Sequence, residues 1–114
     1  MAILEIRTYR LLPGTRDDFV RVLRDEAVPL HHEFGIRVVD CGRSLVDDEG
    51  AEEAYLIRAF ASLDERDGQE EAFYGSSAWR DGPRADIVSR IDSYHTIVLD
   101  VPESAVSALS LARS

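Results

Sequence analysis

The residues best suited to acid–base chemistry lie on the first long amphipathic segment. Its apolar side chains recur at helical spacing and form one stripe: Phe19, Val22, Leu23, Leu30 and Phe34. Glu26 falls within this stripe on a helical wheel and His31 on its shoulder, and a carboxylate among apolar neighbours gains a raised pKa that suits a general acid or base. We therefore predict Glu26 and His31 as catalytic residues. Two alternatives stay open: Pro29 shifts the register and leaves Glu26 at the rim or paired with Arg58, and His31 only caps a helix C-terminus.

Two further polar side chains interrupt apolar strands. Arg58 lies inside a strand, where a buried guanidinium needs an anionic partner, so it is a candidate to bind a substrate carboxylate or phenolate. A structural salt bridge, within one chain or across a dimer, explains Arg58 equally well. His95 shares a strand face with Ile97 and Leu99 and is predicted to bind substrate, with a satisfied structural histidine as the alternative.

Three aromatic residues are predicted to form the walls of a substrate pocket. Tyr9, Tyr74 and Trp79 supply rigid apolar surfaces, each with a hydroxyl or indole donor, and such walls suit flat aromatic ligands. Simple core packing is the alternative for each of them.

No metal or cofactor is predicted from the spacing of ligating residues. Cys41 is the single cysteine, and the chain has no H-x-x-x-H, C-x-x-C or paired-carboxylate spacing typical of zinc. The acidic turn from Asp47 to Glu49 is too short for a calcium loop. Haem ligation by His31 or His95 is a third hypothesis, although no motif indicates it.

The elements that must position these residues follow from periodicity and turn signals. Strands are predicted from Ile3 to Leu12, Ile36 to Val46, Ala54 to Ala61 and Tyr94 to Val101. The predicted helices run from a Thr15 cap to Gly35, either kinked by Pro29 or split near Val28, from the Ser62–Glu65 capping box to Gly75, and from Pro83 onward. Residues 1–101 are expected to form the domain, and residues 102–114 a C-terminal tail that is either a loosely docked helix or frayed.

This element order predicts an α+β fold of the ferredoxin-like type, a βαββαβ protomer with a four-stranded antiparallel sheet. Right-handed crossovers place both connecting helices on one side of the sheet and leave the other side bare. The strands carry apolar residues on both faces, so the bare side would be a large exposed apolar patch. We therefore predict a homodimer whose two sheets face each other.

Composition excludes several classes of protein. The 114 residues are enough for about one domain, and the formal charge of −9, from 22 acidic and 13 basic side chains, disfavours nucleic acid and anionic lipid as partners. No run approaches the roughly 18 apolar residues of a membrane span, and the N-terminal segment lacks the basic region of a secretory signal. We expect a cytoplasmic protein.

Several short motifs together resemble the NIPSNAP family over nearly the whole chain, to about Val101. They are Glu5-Ile6-Arg7-Thr8-Tyr9, Leu12-Pro13-Gly14-Thr15, Phe73-Tyr74, Trp79-Arg80, Gly82-Pro83-Arg84 and Ile91-Asp92-Ser93-Tyr94. The resemblance implies a dimeric α/β barrel, in which each ferredoxin-like protomer holds a cavity between sheet and helices. Related dimeric barrels include polyketide cyclases, cofactor-free monooxygenases and haem-degrading enzymes. The loop from Gly75 to Trp79 contains no histidine, so a mechanism that relies on a histidine in that loop is not expected here.

The sequence thus favours a homodimer that binds a small apolar, aromatic or polyketide-like metabolite, with cofactor-free cyclase, isomerase or monooxygenase chemistry as the enzymatic version. The alternative is a non-catalytic assembly or sensing module, in which the polar residues form ion pairs.

Overall fold

The computed structural model describes residues 1–111 and contains one four-stranded antiparallel sheet. Its strands are β1 Ala2–Leu11, β2 Arg37–Arg43, β3 Glu52–Phe60 and β4 Ile91–Val101, in the spatial order β2-β3-β1-β4. All three pairings are antiparallel. This order confirms the predicted α+β, ferredoxin-like fold.

Helices connect the strands and close the described chain. They are α1 Arg16–Val22, a π-helical turn Leu23–Ala27, α2 Val28–Glu33, α3 Leu63–Gly75, α4 Ser77–Arg80, α5 Arg84–Val88 and α6 Glu103–Leu111, with a 3₁₀ turn at Asp48–Gly50. Strand β4 begins at Ile91, three residues before the predicted start at Tyr94. A bulge between Arg10 and Leu11 accompanies this extension.

The first helical segment bends through its π-helical turn. Val28 N–H bonds to the carbonyl of Leu23, five residues back, and the regular α2 then begins one residue before Pro29. Proline has no N–H and its ring crowds the preceding turn, so a widened turn accommodates it without breaking the helix. The register changes here, and Glu26 is exposed. The prediction that Glu26 lies within the apolar stripe is therefore wrong.

The segment after β3 follows its capping signals. Ser62 Oγ accepts from Glu65 N–H at 3.0 Å, and the Glu65 carboxylate accepts from Ala61 N–H at 2.7 Å, which together fix the start of α3. The predicted end at Gly75 is confirmed. Ser76 then accepts from Trp79 N–H at 3.1 Å and starts α4, a short helix where the sequence predicted a loop.

The main core lies between the sheet and α1 to α5. Alternate residues of the central strands point into it, namely Ile3, Tyr9, Leu11, Ala54, Leu56 and Phe60. Glu5 and Arg58 occupy the same phase of β1 and β3, directly opposite each other across the strand pair. The sheet therefore presents this ion pair, and Arg7 of the same strand face, to a largely apolar layer.

The other face of the sheet is only partly bare. Val106 of α6 is fully buried in a second cluster with Ala2, Leu4, Val39 and Ala59. Residues 103–111 of the predicted tail thus form a helix that covers one end of this face, and residues 112–114 lie outside the described part. Ile97 and Leu99 on β4 stay exposed beyond α6. Within residues 1–111, no helix has both the length and the apolar character needed to cross a bilayer.

Candidate ligand pocket and its ion-pair cluster

A pocket of about 360 Å³ opens between the π-helical turn, α3 to α5 and strand β4. Its apolar lining residues are Tyr9, Leu23, Ala27, Leu56, Trp79, Ile87, Val88, Ile91 and Tyr94. Its polar lining residues are Arg7, His31, Glu70, Tyr74 and Arg84. This volume and this mixture of a large apolar surface with a few polar groups are typical of small-molecule sites.

Aromatic rings stiffen one wall of the pocket. Trp79 packs edge-on against Tyr74 at 5.3 Å between ring centroids and lies 5.2 Å from Phe73. Tyr9 is buried beneath the pocket against Phe19, and this burial raises the pKa of its hydroxyl. The rings are therefore fixed before any ligand enters.

Behind the pocket, a buried ion pair joins β1 to β3. Arg58 is fully buried, and both its Nε, at 2.9 Å, and its second terminal nitrogen donate to Glu5 Oε1. The remaining terminal nitrogen contacts Tyr74 Oη at 2.8 Å and His31 Nε2 at 3.1 Å. The salt bridge within one chain, one of the alternatives for Arg58, is the arrangement found.

Two carboxylates in this cluster have opposite tendencies. Glu5 Oε2 accepts from Arg66 Nε at 2.6 Å, while Glu70 Oε2 lies 3.3 Å from the same nitrogen. Burial opposes ionisation of Glu5, but Glu70, Arg58 and Arg66 together lower its pKa. Burial and the neighbouring Glu5 raise the pKa of Glu70, although Arg58 and Arg66 oppose this. Glu5 is therefore the stable anion of the pair, and Glu70 is the group that takes up a proton.

His31 has both ring nitrogens engaged. Its Nδ1 donates to the carbonyl of Ala27 at 2.7 Å, which leaves Nε2 unprotonated to accept from Arg58. Burial lowers the pKa of His31 to about 4, and the positive charge of Arg58 adds to this although the bond to Ala27 opposes it. The ring is neutral and held in one tautomer, with neither nitrogen free to act as a base or to bind haem iron. The alternative of a surface cap is wrong, because His31 is buried.

At the pocket surface, Arg7 is held by side chains on three sides. Its Nε donates to Thr96 Oγ1 at 2.9 Å and one terminal nitrogen to Tyr74 Oη at 3.1 Å. Its guanidinium lies 5.2 Å from the Tyr94 ring centroid. The other terminal nitrogen is 3.8 Å from Glu70 and 3.9 Å from Glu5, beyond hydrogen-bond distance.

The predicted site residues separate into three groups. Tyr9, Tyr74, Trp79 and His31 line the pocket. Arg58 lies behind this lining. Glu26 and His95 are exposed elsewhere, and His95 points to the opposite sheet face because it pairs with Thr8 rather than with a core-facing residue.

Sequence reasoning missed Glu5, Arg7 and Glu70. Glu5 and Arg7 lie on the same face of β1 as the core residues Ile3, Tyr9 and Leu11. Strict alternation along β1 would therefore have predicted that both point toward the core. Glu70 carried no comparable signal because α3 is polar on most of its surface. Within residues 1–111, no group of three His, Cys, Asp or Glu side chains is arranged to hold a metal ion.

Comparison with solved structures places this fold among bacterial proteins of the same architecture. A NIPSNAP domain protein from Burkholderia xenovorans superposes with a TM-score of 0.76 at 19% identity, covering 88% of this chain and 94% of that one. A NIPSNAP family protein from Agrobacterium tumefaciens gives 0.76 at 18% identity, covering 93% and 90%. A putative antibiotic biosynthesis monooxygenase from Chloroflexus aurantiacus is more distant, with a TM-score of 0.55, 16% identity and coverage of 90% and 96%. These likenesses show the fold.

The sequence itself identifies the family. No curated protein matches the chain. The NIPSNAP family, however, matches residues 4–100, which span β1 almost to the end of β4 and include every residue that lines the pocket. The chain is a member of the NIPSNAP family.

Proposed function

We propose that this protein binds a small, flat, apolar molecule in the pocket beside Trp79 and that it does so as a homodimer. The observation that carries the proposal is the lining of the pocket: nine apolar or aromatic side chains surround a space of about 360 Å³, and five polar side chains complete the lining. A molecule of two fused rings fits such a volume, and its burial would supply roughly 25 cal/mol for each Å² removed from water.

A direct test uses the single tryptophan of the chain, Trp79, as a reporter. We expect 2-naphthamide, a neutral two-ring probe, to change Trp79 fluorescence and to bind in isothermal titration calorimetry with one site per chain. Val88 lines the pocket and is 43% exposed, so Val88→Phe should partly fill the pocket without overpacking the core. We expect this variant to weaken binding by about tenfold, or about 1.4 kcal/mol.

The matched control is Val46→Phe, since Val46 is 69% exposed on the β2–β3 connection and does not line the pocket. It should bind as the parent does. Absence of binding to the folded parent protein, or equal loss in both variants, would contradict the proposal.

A second candidate function is acid–base catalysis on the bound molecule without a cofactor. The observation that favours it is Glu70, a pocket-lining carboxyl whose pKa is raised by burial and by Glu5. Such a group exchanges protons at neutral pH, as a general acid or base must. It takes the role that the sequence suggested for Glu26.

Deuterium exchange distinguishes Glu70 from Glu26. We expect the protein to accelerate exchange of the acidic α-protons of 2-tetralone in D₂O, followed by NMR, and Glu70→Gln to abolish that acceleration. Glu26→Gln should leave it unchanged, because Glu26 is exposed outside the pocket lining. If bound 2-tetralone exchanges no faster than free 2-tetralone, the non-catalytic binding or sensing module is the better description.

The homodimer is supported by the sheet face that α6 leaves uncovered. Ile6 stands between Ile57 and Ile97 in the strand register, so these three side chains form one row across β3, β1 and β4. Ile97 and Leu99 are exposed, and a second copy is the partner whose matching apolar face would cover them.

A further inference from the structure

The two donors at the polar side of the pocket both have hydrogens without an acceptor. Tyr74 Oη accepts one hydrogen bond from Arg7 and one from Arg58, which uses both of its lone pairs. The hydroxyl hydrogen must then point elsewhere. No residue within 1–111 accepts it, and Tyr74 lines the pocket, so the hydrogen is available to a ligand.

Arg7 provides the second donor. Its Nε bonds to Thr96 and one terminal nitrogen to Tyr74, and Arg7 also bonds to the Tyr9 hydroxyl. These bonds do not use all five hydrogens of the guanidinium, and the nearest carboxylate oxygens, of Glu70 and Glu5, are 3.8 and 3.9 Å away. The guanidinium also lies 5.9 Å from the Tyr74 ring centroid and 5.2 Å from the Tyr94 ring centroid, and these cation–π contacts restrict its movement. The guanidinium is therefore already oriented, and little conformational entropy is lost when its remaining N–H groups bind an acceptor on a ligand.

Positively charged side chains outnumber negatively charged ones around Arg7 and Tyr74. The charged lining residues are Arg7, Arg84 and Glu70, and the layer behind them contains Arg58, Arg66 and Glu5. Asp67 pairs with Arg66 only at the exposed rim. Three guanidinium groups, those of Arg7, Arg58 and Arg66, thus face two interior carboxylates, one of which, Glu70, is inclined to be neutral. Arg84 adds a further positive charge to the pocket lining. This local excess is opposite to the chain's formal charge of −9.

We propose that the molecule bound in this pocket carries an anionic oxygen group, as a carboxylate does, which accepts hydrogen bonds from Arg7 and Tyr74 while its apolar body lies against Trp79. The inference rests on the proposed function, because it specifies the class of molecule that the pocket binds. A guanidinium and a hydroxyl donating to one anion are charge-assisted contacts, each stronger than its neutral equivalent.

The test compares two probes of the same shape, 2-naphthoate and 2-naphthamide, by isothermal titration calorimetry with the full chain. We expect 2-naphthoate to bind at least about tenfold more tightly, since hydrogen bonds to a charged acceptor are stronger than those to a neutral one. Arg7→Gln should remove this preference, and Arg7→Lys should keep part of it. Arg10→Gln is the matched control on the same strand, because Arg10 pairs with Glu49 outside the pocket.

Tyr74→Phe is the second variant, which keeps the aromatic wall and removes only the hydroxyl. It should reduce the preference for 2-naphthoate severalfold with little effect on 2-naphthamide, and it decides the question if Arg7→Gln does not fold. Equal binding of the two probes by the parent protein, or a preference that survives both variants, overturns the anion inference and leaves the apolar pocket intact. Failure of both probes to bind overturns the proposed function together with this inference.

Discussion

The environment of a single residue, His31, determines what that residue can do. Its position near the end of a helix suggested a charged imidazole, but the side chain turns inward and lies 4.1 Å from the Phe73 ring. There it links the Ala27 carbonyl to Arg58 as a neutral group. Its role in the folded protein is to orient the arginine that in turn holds Tyr74.

This environment makes the free energy of unfolding depend on pH. The pKa of His31 is lowered to about 4, below its unfolded value, so the unfolded chain binds the proton first as the pH falls. The stability that His31 contributes is complete above its unfolded pKa and decreases as the pH falls toward 4, by about 3 kcal/mol in total. Urea denaturation at a series of pH values measures this change.

His31→Gln isolates the contribution, because a Gln amide can donate to Ala27 and accept from Arg58 without titrating. We expect the variant to lose the part of the acid-side decrease that His31 causes, between its unfolded pKa and about 4, while the contribution of Glu5, whose pKa is also lowered, remains. His32→Gln, on the exposed side of the same helix, should keep the parental profile. Parallel profiles for the parent and His31→Gln would show that the histidine is not held neutral.

The sequence indicated where a side chain lies when the pattern along a single element determines this, and did not when the contact depends on how two elements pack. Tyr9 and Trp79 were placed in the pocket wall, and Arg58 was recognised as needing an anion. Its partner Glu5 could not be named, because the pairing of these two residues depends on the register between β1 and β3.

At the scale of elements, the predicted strands and the start of α3 were confirmed because alternation and capping are local signals. The π-helical turn was not predicted, since helical periodicity assumes a constant rise and a constant number of residues per turn. That one irregular turn is enough to move Glu26 out of the apolar stripe and to bring His31 into the core.

The turn between α4 and α5 has a close backbone contact that only glycine permits. A Cβ atom at Gly82 would lie 2.3 Å from the carbonyl oxygen of Ala78, which is backbone and cannot move aside cheaply. We expect Gly82→Ala to destabilise the protein by about 2 kcal/mol or more, as overpacking does, and to displace Trp79 from the pocket wall. Thermal unfolding and Trp79 fluorescence report the two effects.

Gly68→Ala is the matched control within α3. A Cβ there meets nothing within 4 Å, so the variant should gain about 0.5–1 kcal/mol from helix propensity and leave the fluorescence unchanged. Equal stability of the two alanine variants would mean that the α4–α5 turn is free to rearrange.

At the scale of the whole molecule, the two faces of the sheet pack against different parts of the chain. One face carries the core, the ion-pair cluster and the pocket. The other is covered by α6 at one end, where Val106 is buried. It also carries the row of Ile57, Ile6 and Ile97, in which the first two are partly buried against the α6 cluster and Ile97 is exposed. Helix α6 therefore limits how much of the face remains for a partner, a restriction that the sequence alone did not indicate.

If two copies pack through this row, a charge placed within it, at Ile97, should separate them. Ile97 is 44% exposed in the single chain, so Ile97→Glu should fold normally, but in a symmetric pair each new carboxylate would be buried against the other copy without a partner. The chain's formal charge of −9 adds repulsion between the copies. We expect analytical ultracentrifugation to give the mass of two chains for the parent and of one chain for the variant.

Leu45→Glu is the control for this variant. Leu45 is 96% exposed on the β2–β3 connection, so Leu45→Glu should retain the parental mass. A parent protein that sediments as a single chain at micromolar concentration would refute the homodimer, while the pocket, which is built entirely from residues of one chain, would be unaffected.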